Sequence, residues 1–183
     1  MIEIRKYQNQ DYEKVRRICM STAKRSYQNN EIICWLFLDY YLESEHQHAF
    51  VAVEQEEVIG YIVVSTDALE YENQMKEKWI PKIQEKSLFL SLFARICVQT
   101  NKKFNKNGCE FHMNIAPSYQ HKGLGHRLLD VMAQHLLLYD KKYLYCITEN
   151  NRTKGYRFYR HYGFKVIKRY CIGVLALQYA LKK

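Results

Sequence analysis

The stretch Met113-Asn-Ile-Ala-Pro-Ser-Tyr-Gln-His-Lys-Gly-Leu-Gly125 holds the residues best suited to gripping a phosphate. It reads as a strand end, a short turn and the start of a helix. That succession gathers unpaired backbone N–H groups and the positive end of a helix dipole at one point. Gly123 and Gly125 let the backbone approach a ligand with no side chain between. The spacing excludes two well-known phosphate loops. Lys122 precedes the glycine and no Ser or Thr follows it, so this is not Gly-x-x-x-x-Gly-Lys-Ser/Thr. Leu128 occupies the third glycine position of the dinucleotide fingerprint.

A second chemical signal lies just upstream. Residues 108–115 alternate, with Cys109, Phe111, Met113 and Ile115 on one face and Glu110, His112 and Asn114 on the other. A period of two makes the second set a polar stripe on a strand. A central strand covered on both sides is apolar on both faces. The stripe therefore predicts a wet cleft holding a carboxyl and an imidazole, groups that take and give protons. Their unperturbed pKa values are about 4.3 and about 6.5.

The elements that must position these groups follow from periodicity. Ile2 to Lys6 alternates and predicts a first strand, and Asn9 or Asp11 can cap a helix with Tyr12, Val15, Ile18 and Cys19 on its apolar face. A second helix is expected over residues 31–42. Residues 49–53 and 58–65 read as a strand pair around the polar turn Glu54-Gln-Glu-Glu57. Residues 69–107 read as a helical insertion, its first part broken at Pro81 and its second capped by Ser87, with Leu88, Phe89, Leu92, Phe93 and Ile96 as the apolar stripe. It is either a subdomain beside an acceptor site or a scaffold covering the sheet. The helix after the phosphate loop is expected over about residues 126–139, with Leu124, Leu128, Val131, Met132 and Leu136 at helical spacing. Residues 143–148 and 164–174, with a tail to about residue 180, complete the sheet.

Residues 151–164 read Asn-Arg-Thr-Lys-Gly-Tyr-Arg-Phe-Tyr-Arg-His-Tyr-Gly-Phe. Together with Gln120-x-x-Gly123-x-Gly125 and the approach Met113-x-Ile115-x-Pro117, this segment resembles the GNAT superfamily of N-acetyltransferases. Phe158-Tyr159 and Gly163-Phe164 match the second signature of that family. Gly155 stands where the family often has Ala, and Asn151 lies one residue further from the tyrosine than usual. The resemblance is carried by residues 109–166 and is topological before them.

The resemblance implies an α/β (α+β) fold with a central mixed, mostly antiparallel sheet flanked by helices, here with a helical insertion before the cofactor strand. It implies transfer of an acetyl group from acetyl-coenzyme A to a primary amine of a small molecule, peptide or lysine, by direct attack in a ternary complex and without metal. The cofactor contacts it implies are Ile115, Ala116, Gln120, His121, Lys122, Gly123, Leu124, Gly125, His126 and Asn151. Tyr159 is expected to meet the leaving thiolate, and Glu110 or His112 to take the proton of the amine. Trp35, Phe37, Tyr40, Tyr41 and Trp79 are read as core or as the lining of an amine pocket, and Glu43, Glu45 and Asp67 as an acidic acceptor-side patch. Homodimers are common in the family, so a homodimer is one state open to the chain.

Composition bounds this reading. A length of 183 residues suits a single domain over 1–183, and 48% hydrophobic content suits a globular core. The charged start Met1-Ile-Glu-Ile-Arg-Lys has no secretory pattern, and the apolar run 88–98 is short and carries Arg95, which points to the cytoplasm and away from a membrane. Six scattered cysteines without a Cys-x-x-Cys pair read as reduced thiols. The net charge of +9 (28 basic, 19 acidic) attracts polyanions. A cofactor bearing several phosphates accounts for it more economically than nucleic acid, since no basic tract or binding module is present. Two other classes stay open at this stage, a coenzyme A-binding regulatory domain without turnover and a basic nucleic-acid-binding protein.

Overall fold

The computed structural model describes residues 1–104, 108–149, 153–170 and 174–182. Strands β1 (Glu3–Lys6), β2 (Phe50–Glu54), β3 (Glu57–Ser65), β4 (Gly108–Ile115), β5 (Tyr143–Glu149), β6 (Lys165–Arg169) and β7 (Val174–Ala180) form one sheet. Its order is β1-β2-β3-β4-β5-β7-β6. Every pairing is antiparallel except β4 with β5. The fold class is the expected mixed, mostly antiparallel sheet flanked by helices.

Helix α1 (Tyr12–Ser21) buries Val15, Ile18 and Cys19, the face its spacing predicts. It packs on the same side of the sheet as α2 (Ile32–Phe37), α3 (Asp39–Ser44), α4 (Ala68–Gln74), α5 (Ile80–Lys86) and α6 (Leu88–Phe104). The opposite side carries α7 (Leu124–Leu137) and α8 (Lys154–Tyr162). Two apolar cores result, one on each face. Val51, Tyr61 and Val63 point into the first, and Ile62, Val64 and Phe111 into the second. Alternation along β3 divides its side chains between them.

Four expectations are corrected. The helix over residues 31–42 is two short helices, because Leu38 leaves the helical region at φ −137° and ψ −52°. Pro81 does not break its segment. A π-helical turn at Met75–Trp79 joins α4 to α5, with the Ile80 N–H reaching back five residues to the Met75 carbonyl. The widened turn absorbs a residue that lacks an N–H and crowds the carbonyl four before it. Residues 164–180 are two strands rather than one with a tail, and β7 lies between β5 and β6.

The fourth concerns α6. Ser87 caps it as expected, its Oγ accepting from Leu90 N–H at 3.2 Å. The buried face, however, is Leu90, Ala94, Cys97 and Val98; of the expected stripe Phe93 is half-buried and packs on the core, Ile96 is half-buried, and Leu88, Phe89 and Leu92 are exposed. Spacing identified the helix, but bulk pointed to the wrong face. Small residues let α6 sit close against α4 and α5.

Candidate functional site

Strands β4 and β5 pair only over Gly108–Glu110 with Tyr143–Tyr145. Beyond that point β5 stays with β7 and β4 stays with β3, so the two strands part into a wedge. Ala116 N–H donates to the Ile59 carbonyl on the β3 side at 2.9 Å. Backbone groups of successive strand residues face opposite edges, so the amides of Met113 and Ile115 face the wedge. Gln120 Nε2 donates to the Ile115 carbonyl at 3.0 Å and ties the loop to the strand end.

The loop that follows bends through a 3₁₀ turn at Pro117–Tyr119, and His121 and Gly123 take left-handed backbones at φ 63° and 77°. Gly123 is the N-cap of α7, and its carbonyl accepts from the His126 and Arg127 N–H groups. The amides of residues 121–125 make no hydrogen bond among the described residues. A Cβ built on Gly123 would meet nothing within 4 Å, so a ligand can close on that backbone. Gly125 is glycine for another reason. A Cβ there would lie 2.8 Å from Phe158 Cζ, so its bareness lets α7 pack against α8 rather than admit a ligand.

A cavity of about 480 Å³ lies at the open end of β4, between that strand, the loop and α8. Of the residues expected to hold the cofactor, Ile115, Gln120, His121, Gly123, Leu124, Gly125 and His126 line it. Ala116 and Lys122 do not. The Ala116 amide is spent on Ile59, and the Lys122 ammonium sits over the Tyr119 ring at 5.0 Å. Asn151 lies outside the described residues. Met113, Asn114, Thr22, Lys154, Gly155 and Phe158 line the cavity without having been expected there. Tyr159 lines it from α8, its ring packed on Phe111 at 5.6 Å and Phe164 at 5.4 Å. Burial raises the phenol's pKa, so it stays protonated, and its hydroxyl has no hydrogen-bond partner among the described residues.

A second cavity, of about 590 Å³, opens on the other face of β4 and holds the polar stripe. It meets the first at Thr22, Asn114 and Gly155, which line both. Glu110 is buried, and its Oε2 accepts from Asn101 Nδ2 at 2.8 Å. Burial pushes its pKa up to about 8, against the lowering effect of the Asn101 bond. Burial alone lowers His112 to about 4. Its Nδ1 lies 3.1 Å from Tyr61 Oη, and Asn114 Nδ2 donates to that same oxygen at 3.1 Å. When the Tyr61 proton is directed to His112 Nδ1, the neutral imidazole carries its N–H on Nε2. Phe37 stacks on the His112 ring at 5.1 Å, with 9° between the planes.

The aromatic set divides. Trp35, Tyr40 and Trp79 are core, while Phe37 and Tyr41 face the second cavity. The acidic patch is not free for an acceptor. Glu45 accepts from Tyr40 and Thr66, Asp67 caps α4 through Leu69 and Glu70 N–H, and Glu43 pairs with Lys78. Among the described residues no cluster of three or more His, Cys, Asp or Glu is placed to hold a metal, and no helix is long and apolar enough to cross a membrane.

A wedge beside a glycine-capped helix, backed by a second cavity on the same strand, defines a class. The family model of the GNAT acetyltransferases matches residues 3–164, and the chain belongs to that family as an acyltransferase of the N-acetyltransferase type. Solved structures share the fold over the whole chain. The protein SsHAT is 19% identical with a TM-score of 0.86, covering 100% of this chain and 99% of its own. The polyamine N-acetyltransferase of Drosophila melanogaster, which forms N-acetylagmatine, is 14% identical with a TM-score of 0.69, covering 99% and 100%. The PaiA N-acetyltransferase of Thermoplasma acidophilum, in complex with coenzyme A, is 16% identical with a TM-score of 0.64, covering 98% and 99%. No curated protein matches the chain.

Proposed function

We propose that the protein moves the acetyl group of acetyl-coenzyme A onto a primary amine by direct attack, with both substrates bound at once. The observation that carries this reading is the meeting of the two cavities at Asn114. One offers a phosphate loop and an open strand edge, the other a buried carboxyl. The PaiA relative bound to coenzyme A supports the assignment of the wedge, and the polyamine acetyltransferase supports an amine as acceptor.

The unpaired amides of residues 121–125 hold the pyrophosphate, and the open edge at Met113 and Ile115 pairs with the amide-bearing arm as an added strand would. Acetyl-coenzyme A supplies an acyl group activated as a thioester. An amide of the same edge faces the carbonyl oxygen as charge develops there, as a preorganised donor. The C–N bond forms, the C–S bond breaks, and one proton leaves the amine. Glu110 takes that proton. It lies four strand residues from Asn114, about 13 Å at strand rise, so the proton crosses the polar stripe through water. His112 keeps its Nε2–H and orients the water or the amine. Tyr159 donates a hydrogen bond to the departing thiolate, and the proton that Glu110 took passes back through water to the sulfur, so both side chains return to their starting states.

Initial rates of thiol release, with acetyl-coenzyme A and a primary amine both varied, test this. Intersecting double-reciprocal lines are expected. Parallel lines would mean a covalent acetyl-enzyme, and absence of thiol release with every amine would leave only a coenzyme-binding domain.

A further inference from the structure

The acetyl-transfer reading leaves the acceptor open, and the charge inventory of the second cavity narrows it. Its walls are largely apolar and aromatic, with Ile33, Leu36, Phe37, Phe89 and Phe93 among them, interrupted by hydroxyls such as those of Thr22, Tyr41 and Thr148. Among the described residues, three carboxyl or ammonium groups reach it, Glu110, Glu149 and Lys24. Lys24 Nζ pairs with Glu149 Oε1 at 2.5 Å, both side chains about half exposed, so these two answer each other at the rim. Other acids of this side, among them Asp39, Glu43, Glu45, Asp67 and Glu72, are engaged by Arg16, lysines, hydroxyls or helix amides. One carboxyl, Glu110, is left to face the interior.

We infer that the acceptor is a monoamine with an apolar body, an alkyl chain or an aryl ring, and that diamines and polyamines are discriminated against. The single interior carboxyl answers the single amine that reacts. A second ammonium would meet rings, hydrocarbon and neutral hydroxyls but no free counter-charge among the described residues, and burying an unpaired charge is strongly unfavourable. The aromatic walls do not make up for it. Phe37 already gives one face to His112, which withdraws that face from an ammonium. The exposed side of the cavity is apolar as well. Phe89 lines it while 71% exposed, and Leu88 and Leu92 extend the same patch along α6. This gives a long apolar body somewhere to rest beyond the rim. The inference rests on the acetyl-transfer reading and departs from the acceptor of the polyamine acetyltransferase, whose likeness to this chain is one of fold.

The test compares hexylamine with hexane-1,6-diamine, equal in length and different by one ammonium, with phenethylamine as the ring-bearing probe. Steady-state thiol release at pH 8 gives kcat/KM for each. An alkylammonium of pKa about 10.4 is neutral in only about one molecule in 250 at pH 8, so discrimination of at least about tenfold in favour of hexylamine is expected. Phenethylamine is expected to share the advantage. Equal or faster turnover of the diamine overturns the inference. So does turnover of none of the three while acetyl-coenzyme A still raises the melting temperature, since the transfer site then stands without this acceptor class. If acetyl-coenzyme A itself gives no thermal shift, the acetyl-transfer reading falls, and the inference with it. A variant adds a second check. Phe89→Glu places a carboxylate at the rim on an exposed side chain, where folding is not at stake. It is expected to narrow the hexylamine preference by about threefold, the scale of a partly exposed ion pair. An unchanged ratio would refute the charge argument.

Discussion

Glu110 and His112 sit two residues apart on one strand, yet burial drives them in opposite senses. The carboxyl is held protonated up to about 8, and the imidazole is held neutral down to about 4. Only the anionic carboxylate accepts a proton, so kcat/KM is expected to rise with pH and level off above about 8, with no limb between 5 and 7 from His112. Glu110→Gln is expected to lower the rate by about a hundredfold or more and to abolish the limb. A limb near 6.5 that survives in Glu110→Gln would assign the base elsewhere. Stability carries the same signature with a definite sign. Between its ordinary 4.5 and about 8 the folded protein holds a proton that the unfolded chain has released. Stability therefore falls as pH rises through that window. Melting curves should show Glu110→Gln gaining on the parent as pH rises to about 8 and matching it below the ordinary value of 4.5. Tyr159→Phe is the complementary case. Its hydroxyl has no partner among the described residues, so the melting temperature should hold to within about 1 kcal/mol of stability while kcat falls. The alternation of residues 109–115 made Glu110 and His112 legible in the sequence. Thr22, which lines both cavities, was not. It sits at the end of α1, some ninety residues from β4, and nothing in its local pattern points to a ligand.

At the level of elements, the proposed cofactor binding turns on the wedge between β4 and β5. Met113 and Ile115 amides face it, whereas Asn114 pairs toward β3 opposite Tyr61. Amide exchange is expected to be fast at Met113 and Ile115, to slow when acetyl-coenzyme A is added, and to remain slow at Asn114 throughout. Protection of Asn114 alone would place the arm on the wrong edge. The strand, the loop and α7 were all readable, because a period of two, a pair of glycines and a period of 3.6 succeed one another without interruption. The two glycines looked alike and are not. Gly123 leaves open space, while Gly125 makes room for Phe158. Gly125→Ala is therefore expected to destabilise the protein by about 1–3 kcal/mol, the scale of overpacking, as read by denaturant melts. Helix α6 shows what periodicity leaves open. It marks a helix, but two stripes of Leu88–Phe104 are apolar, and only packing against α4 and α5 decides that Leu90, Ala94, Cys97 and Val98 go inside.

At the scale of the molecule, the sheet acts as a partition. Helices α1 to α4 and α6 wall the second cavity on one face, α7 and α8 brace the glycine loop on the other, and β4 carries side chains toward both. The wedge is where the partition opens. The central claim is that this opening takes acetyl-coenzyme A, and thermal unfolding with acetyl-coenzyme A against ATP tests it most directly. A ligand bound only to the folded state at about 100 times its dissociation constant stabilises by about 2.7 kcal/mol. For a chain of this size that is a rise in Tm of about 5–11 °C. The account predicts that rise with acetyl-coenzyme A and a much smaller one with ATP, which shares the nucleotide and phosphates but lacks the arm that pairs with β4. Equal shifts for the two would reduce the site to a general phosphate loop, and no shift with acetyl-coenzyme A would contradict the account.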